Sequence, residues 1–220
     1  MFHKISILAG IALACATASA HAQTEIPPPS GKGPVVVMVS GQSGAAHYQP
    51  KAQQVAALGY DVVLIDGNAM EGTHGAALHD AVMAAQNEPH GTPGKVAVVG
   101  FSLGGGEALA YATRWPDLVT GVIVWYPLTR TIQDPATLVA GIKVPVLMFA
   151  GEQDTYKNCC LIAKAQTIAA AATQQNIPLE LVTYPDAGHE FNFPGDHYDA
   201  AADADSWQKA TARLTQYFGH

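Results

Sequence analysis

Lys95-Val-Ala-Val-Val99 runs straight into Gly100-Phe-Ser-Leu-Gly104 and then into Gly105-Gly-Glu-Ala-Leu109, and this stretch decides the fold. A short β-branched apolar run reads as a buried strand, and the alanine-containing segment from Gly105 onward opens a helix. Between them the chain must turn sharply, holding Ser102 in a strained backbone geometry. Side chains two residues to either side would collide in such a turn, and glycine at 100 and 104 removes the collision. The plainer alternative is a glycine-rich turn with a helix-capping serine. A phosphate loop fits less well, because Glu107 follows the glycines and no G-K-[ST] appears.

Outward from this turn the pattern alternates. Val35–Val39, Val62–Ile65, Val122–Val124, Val144–Phe149 and Leu179–Val182 are further apolar runs suited to strands buried on both faces. Lys51–Leu58, Ala76–Ala85, Glu107–Thr113, Leu161–Thr173 and Ser206–Phe218 are the helix candidates. Strand and helix in alternation imply an α/β fold, a mostly parallel doubly wound sheet with helices on both faces and no large cap domain. Functional residues are then expected just beyond the carboxyl ends of the strands.

A serine hydroxyl is a weak nucleophile and needs a base that is itself oriented by an acid. Hydrolases built on this turn supply them in the chain order serine, acid, histidine. Asp154 follows the run ending at Phe149, with Glu152 as a nearby competitor, and His189 follows the run ending at Val182. The bland alternatives are a solvated loop aspartate and one surface histidine among nine. The backbone N–H of Leu103 at the helix start, and that of Gln42 in Ser40-Gly-Gln-Ser-Gly44, are the expected oxyanion donors, with Ser43 the alternative to Gln42. Trp125 and Tyr126, with Phe191 and Phe193, are candidates to line an uncharged aromatic substrate pocket, or else plain core.

The chain of 220 residues carries a net charge of -7, which argues against a nucleic-acid backbone as partner. Lys4, the apolar run Ile5–Ala14 and the pattern Ala20-His-Ala22 read as an export signal over 1–22, cleaved before Gln23. The run is too short to span a membrane, so no stable insertion is expected; an uncleaved anchor, or lipidation at Cys15, is the alternative. Residues 23–34, rich in proline and glycine, are expected as a leader outside helix and sheet, with the α/β domain over 35–220. The expected location is periplasmic or secreted, where thiols oxidise. Cys159 and Cys160 are expected as buried small apolar residues, with a vicinal disulfide that stiffens the Asp154 loop as the alternative. No metal is expected, since neither His74 with His79 nor His189 with His197 has the spacing of a helical zinc pair.

Gly100-Phe-Ser102-Leu-Gly, Gly151-Glu-Gln-Asp154-Thr and Tyr184-Pro-Asp-Ala-Gly-His189-Glu-Phe together resemble the dienelactone hydrolase family of the α/β hydrolases. The resemblance implies a compact hydrolase without metal or organic cofactor, cleaving a small ester or lactone through an acyl-enzyme. Ser102, Asp154 and His189 would act as nucleophile, acid and base. Two features depart from the family pattern: a serine stands where the founding enzymes carry cysteine, and Glu190-Phe-Asn follows the histidine where an arginine that holds an anionic lactone is expected shortly after. Both point toward general ester chemistry. A non-catalytic binding protein on the same fold, or an acyltransferase or peptidase using the same three residues, is the alternative; oligomeric state is not legible.

Overall fold

The computed structural model describes residues 23–219. The expected signal segment, 1–22, lies outside the described residues.

Seven strands form one sheet: β1 (Gln23–Ile26), β2 (Val35–Val39), β3 (Asp61–Ile65), β4 (Val96–Phe101), β5 (Val119–Trp125), β6 (Val146–Gly151) and β7 (Leu179–Tyr184). Their spatial order is β1-β3-β2-β4-β5-β6-β7, parallel throughout except that β1 runs antiparallel along β3. The first four residues of the expected leader are therefore strand. Gln23-Thr-Glu-Ile26 precedes the prolines at 27 to 29, so nothing prevents its amides from pairing with β3.

The helices are α1 (Ala45–Ala56), α2 (Ala76–Ala85), α3 (Ser102–Ala110), α4 (Pro135–Ala140), α5 (Ile162–Gln174) and α6 (Ala200–Phe218). Alternation along each strand divides the interior into two cores. Val37, Val63, Val98, Val122 and Met148 face α2 to α5, while Met38, Leu64, Val99, Ile123 and Leu147 face α1 and α6. Strands β2, β3, β4 and β6 are buried along their whole length, which is why they read as continuous apolar runs instead of alternating ones.

From β2 the chain crosses to β3 on one side and then returns to place β4 on the other side of β2. That reversal opens a crevice beyond the carboxyl ends of β2 and β4, where Val39 pairs with Gly100. The Ser40–Gly44 loop and Ser102 leave the sheet side by side at this point.

Candidate active site

Ser102 has φ 49, left-handed backbone that costs a non-glycine residue about 1–2 kcal/mol. The surroundings enforce it. A Cβ on Gly104 would lie 2.4 Å from the Ser40 carbonyl oxygen, and one on Gly100 would lie 2.6 Å from the Gly104 oxygen. The Gly104 N–H donates to the Ser40 oxygen at 3.2 Å, pinning the start of α3 beneath the loop after β2.

The Ser102 Oγ lies 3.0 Å from His189 Nε2, and His189 Nδ1 lies 2.7 Å from Asp154 Oδ2. All three residues are buried. The free Asp154 oxygen, Oδ1, accepts from the Tyr156 N–H at 3.1 Å, which fixes the rotation of the carboxylate. The loops holding Asp154 and His189 are pressed together: the Gln153 N–H donates to the Ala187 oxygen at 3.0 Å, and a Cβ on Gly151 would lie 2.3 Å from that same oxygen. Glu152, the competing acid, is exposed and accepts from the Thr183 hydroxyl instead.

Tyrosines flank the imidazole. Tyr156 stacks on it at 4.6 Å with the rings 10° from parallel, and the Tyr126 ring lies 4.7 Å away at 59°. Tyr126 is fully buried, its hydroxyl donates to Asn192, and burial pushes its phenol well above the usual range, so it stays neutral. With Asp154 fixing one edge, these rings leave the imidazole little freedom to rotate. Five of the seven non-glycine residues with positive φ among the described residues, Ser102, Tyr126, Lys157, Asn158 and Glu190, lie at or beside this site. Strain is concentrated where function would need it.

Gln42 and Leu103 line the cleft that opens at Ser102, and neither backbone N–H has a hydrogen-bond partner among the described residues. Two free amides beside a buried hydroxyl suit a developing oxyanion. The cleft, about 60 Å³, is also lined by Glu71, Arg130, Tyr156, Lys157 and Cys159. Sequence reading missed Glu71, Arg130 and Lys157, which come from three separate loops and carry no local motif.

The aromatic pocket expected from Trp125, Phe191 and Phe193 is not what lines this cleft. Trp125 and Phe101 are paired across β4 and β5, so they project to one face, and Trp125 stacks between Phe101 and Phe149 at 5.0 and 4.9 Å under α1 and α6. Phe191 is fully buried against Tyr126 and Tyr184, and Phe193 packs on Tyr48 and His47. Tyr126 meets the site at His189, its ring 4.7 Å away. The pocket beside Ser102 is polar and charged.

Cys159 and Cys160, expected as separate apolar residues, are joined as a vicinal disulfide. Both side chains turn inward behind the Asp154 loop, so two buried sulfurs share one space beside His189.

A mostly parallel sheet with helices on both faces, a strained serine at a strand-to-helix turn and a histidine and aspartate beyond later strands define an α/β-hydrolase fold. The chain belongs to the dienelactone hydrolase family, whose sequence profile matches residues 68–218. An Escherichia coli (strain K12) protein provisionally named a carboxymethylenebutenolidase is 30% identical over 149 residues, covering 64% of this chain and 52% of that one. The chain thus spans about half the length of the curated relatives it matches. Among solved structures, a provisionally named dienelactone hydrolase from Klebsiella pneumoniae superposes with a TM-score of 0.76 at 22% identity, covering 89% of this chain and 92% of that one. A thermophilic esterase from Thermogutta terrifontis does so with 0.64 at 18%, covering 88% of each chain. At those identities the structural likeness establishes the fold alone. Among the described residues no helix is long and apolar enough to cross a membrane.

Proposed function

We propose that the chain is a serine hydrolase that cleaves a small ester or lactone through an acyl-enzyme. The observation that carries this reading is the unbroken relay from Asp154 through His189 to Ser102, with hydrogen bonds of 2.7 and 3.0 Å and no intervening group. Asp154 holds the proton of His189 on Nδ1, which leaves the Nε2 lone pair facing the Ser102 hydroxyl. As Ser102 attacks the carbonyl carbon, Nε2 takes its proton and the carbonyl oxygen turns toward the Gln42 and Leu103 amides. His189 then gives that proton to the leaving alcohol, and a water molecule repeats the sequence on the acyl-serine.

Labelling with a fluorophosphonate probe, followed by a panel of esters, tests the reading. Ser102→Ala should abolish labelling and lower turnover by roughly three orders of magnitude or more with the fold intact. Absence of labelling in the wild type would return the chain to the rival reading, a binding protein on a hydrolase fold.

We further propose that the chain is exported and that residues 1–22 are removed. Lys4, the apolar run after it and Ala20-His-Ala22 support this, as does a cystine at 159 and 160, which needs an oxidising compartment to persist. Cleavage after Ala22 would keep every described strand, since β1 covers Gln23–Ile26. Amino-terminal sequencing of protein recovered from outside the cytoplasm should start at Gln23, and an intact Met1 there would refute the cleavage.

A further inference from the structure

We infer that reduction of the Cys159–Cys160 disulfide creates a binding site for a thiophilic divalent metal ion, and that occupancy of this site disarms Ser102. Both cysteines are buried, Cys159 lines the same cleft as Ser102, and both sulfurs lie within 4.8 Å of a His189 ring nitrogen. Two thiolates and an imidazole within this reach are three of the four ligands a tetrahedral ion such as Zn2+ takes, and the cleft at Cys159 admits water or a thiol as the fourth. Zn2+ bound to two thiolates and a neutral imidazole also carries no net charge, which suits a buried position.

The disulfide governs the site because sulfurs bonded to each other are poor ligands. A small dithiol reductant restores them: one of its thiolates attacks a cysteine sulfur, its second thiol resolves the mixed disulfide, and two electrons and two protons pass to Cys159 and Cys160 as the reductant closes its own disulfide. Zn2+ then displaces the two thiol protons as it binds. The main chain helps hold the pair in place, since the Cys159 carbonyl oxygen accepts from the N–H groups of both Thr129 and Arg130 at 2.9 Å.

Loss of function follows from the histidine. Nδ1 is committed to Asp154 and Nε2 faces Ser102. Whichever nitrogen ligates the metal, one of those two hydrogen bonds is broken. The oxidised chain would be active and indifferent to metal, and the reduced chain would be switched off by it. Only this effect on turnover rests on the function proposed above; metal uptake is a separate property.

The test uses the untagged chain, oxidised or reduced and freed of reductant without air, titrated with Zn2+ against a colorimetric chelator. Reduced wild type should take up one Zn2+ per chain more than the oxidised protein or the reduced Cys159→Ser/Cys160→Ser variant, and Co2+ in its place should give a thiolate charge-transfer band. Fluorophosphonate labelling of Ser102 should then fall to the level of Ser102→Ala and return when a chelator removes the metal. Equal uptake by reduced wild type and the double variant would overturn the inference. So would tight uptake that leaves labelling untouched, or loss of the native circular dichroism on reduction before any metal is added. If Ser102 labels in no state, the proposed hydrolase function fails, and the uptake comparison still decides whether the metal site exists.

Discussion

The phenol of Tyr48 donates a 3.0 Å hydrogen bond to the carboxylate of Glu190, a residue 142 positions away that directly follows His189. Glu190 also accepts from the Ser43 hydroxyl at 3.3 Å, and a Cβ on Gly41 would lie 2.3 Å from the Tyr48 oxygen. The loop that carries Gln42 is thereby tied to the turn that carries His189. Glu190 pays for this with φ 58, which its backbone would otherwise avoid. Tyr48→Phe and Glu190→Ala should each lower kcat about ten-fold with little change in KM, as expected for one hydrogen bond to a charged group that acts on transition-state geometry. The double variant should fall little further than either single one. Multiplying effects in the double variant would show that the two residues act separately.

Close backbone approach at the nucleophile turn sets a second expectation. A methyl on residue 104 would meet the Ser40 and Val39 carbonyl oxygens at 2.4 and 2.5 Å, and these are main-chain atoms at the end of β2 and just beyond it that cannot swing aside as a side chain could. Gly104→Ala should therefore cost about 1–3 kcal/mol or more in urea denaturation, the range for overpacking a filled interior. An unchanged midpoint would mean that the turn is looser than the contacts describe.

Much of this is legible in the sequence itself. The buried strands announced themselves because parallel strands covered on both faces are apolar at every position, and the Ser102 turn was marked by its glycines. Helix starts were harder. Helix α1 begins at Ala45, six residues before its expected start, and carries Pro50 inside it, where a proline removes one hydrogen bond to the residue four back and makes the helix hard to read from the sequence. Helix α6 begins at Ala200, capped by the Asp199 carboxylate on the Ala201 and Ala202 N–H groups, and the short α4 is capped by Asp134 ahead of Pro135. Aspartate caps and a proline at the first helical position were usable signals that the apolar pattern overshadowed. The relay residues could be named from order along the chain, but the cleft wall could not. Glu71, Arg130 and Lys157 meet only because three loops converge, and no spacing in the sequence encodes that.

One buried carboxyl, Asp61, and one half-buried carboxyl, Glu107, contribute to the pH response of stability. Burial, then the charges of Glu25 and Glu88, push Asp61 up from 3.8 to about 6, with His90 opposing. Burial and then Glu71 push Glu107 up from 4.5 to about 7. Each carboxyl holds its proton more tightly folded than unfolded, so folding takes up protons between the two values. The penalty is absent below the unfolded values and grows as pH rises toward the folded ones. Asp61→Asn and Glu107→Gln should each be more stable than wild type near pH 8, with the advantage vanishing near pH 4 in chemical denaturation. A gap that stayed constant across that range would assign the effect to packing instead of to charge.

The polar cleft sets the substrate expectation. Arg130 and Lys157 line it against a single acid, Glu71. Lys157 is held there by Gln42 Oε1 at 2.9 Å and by the Tyr156 ring, with its Nζ 4.8 Å from the ring centre, while Arg130 Nη1 donates to the Lys157 carbonyl oxygen at 3.4 Å. If the proposed hydrolase function holds, the excess positive charge near Ser102 should favour an acyl group that bears a carboxylate over a neutral one, with salt and solvent weakening the preference at exposed side chains. Arg130→Ala should raise KM for a carboxylate-bearing ester by about three- to ten-fold at low ionic strength and by less at high. KM for a neutral ester of similar size should not move, because Arg130 has no charge partner there to lose. Equal changes for the two esters, or a salt-independent one, would mean that Arg130 shapes the cleft and does not select the charge of what enters it.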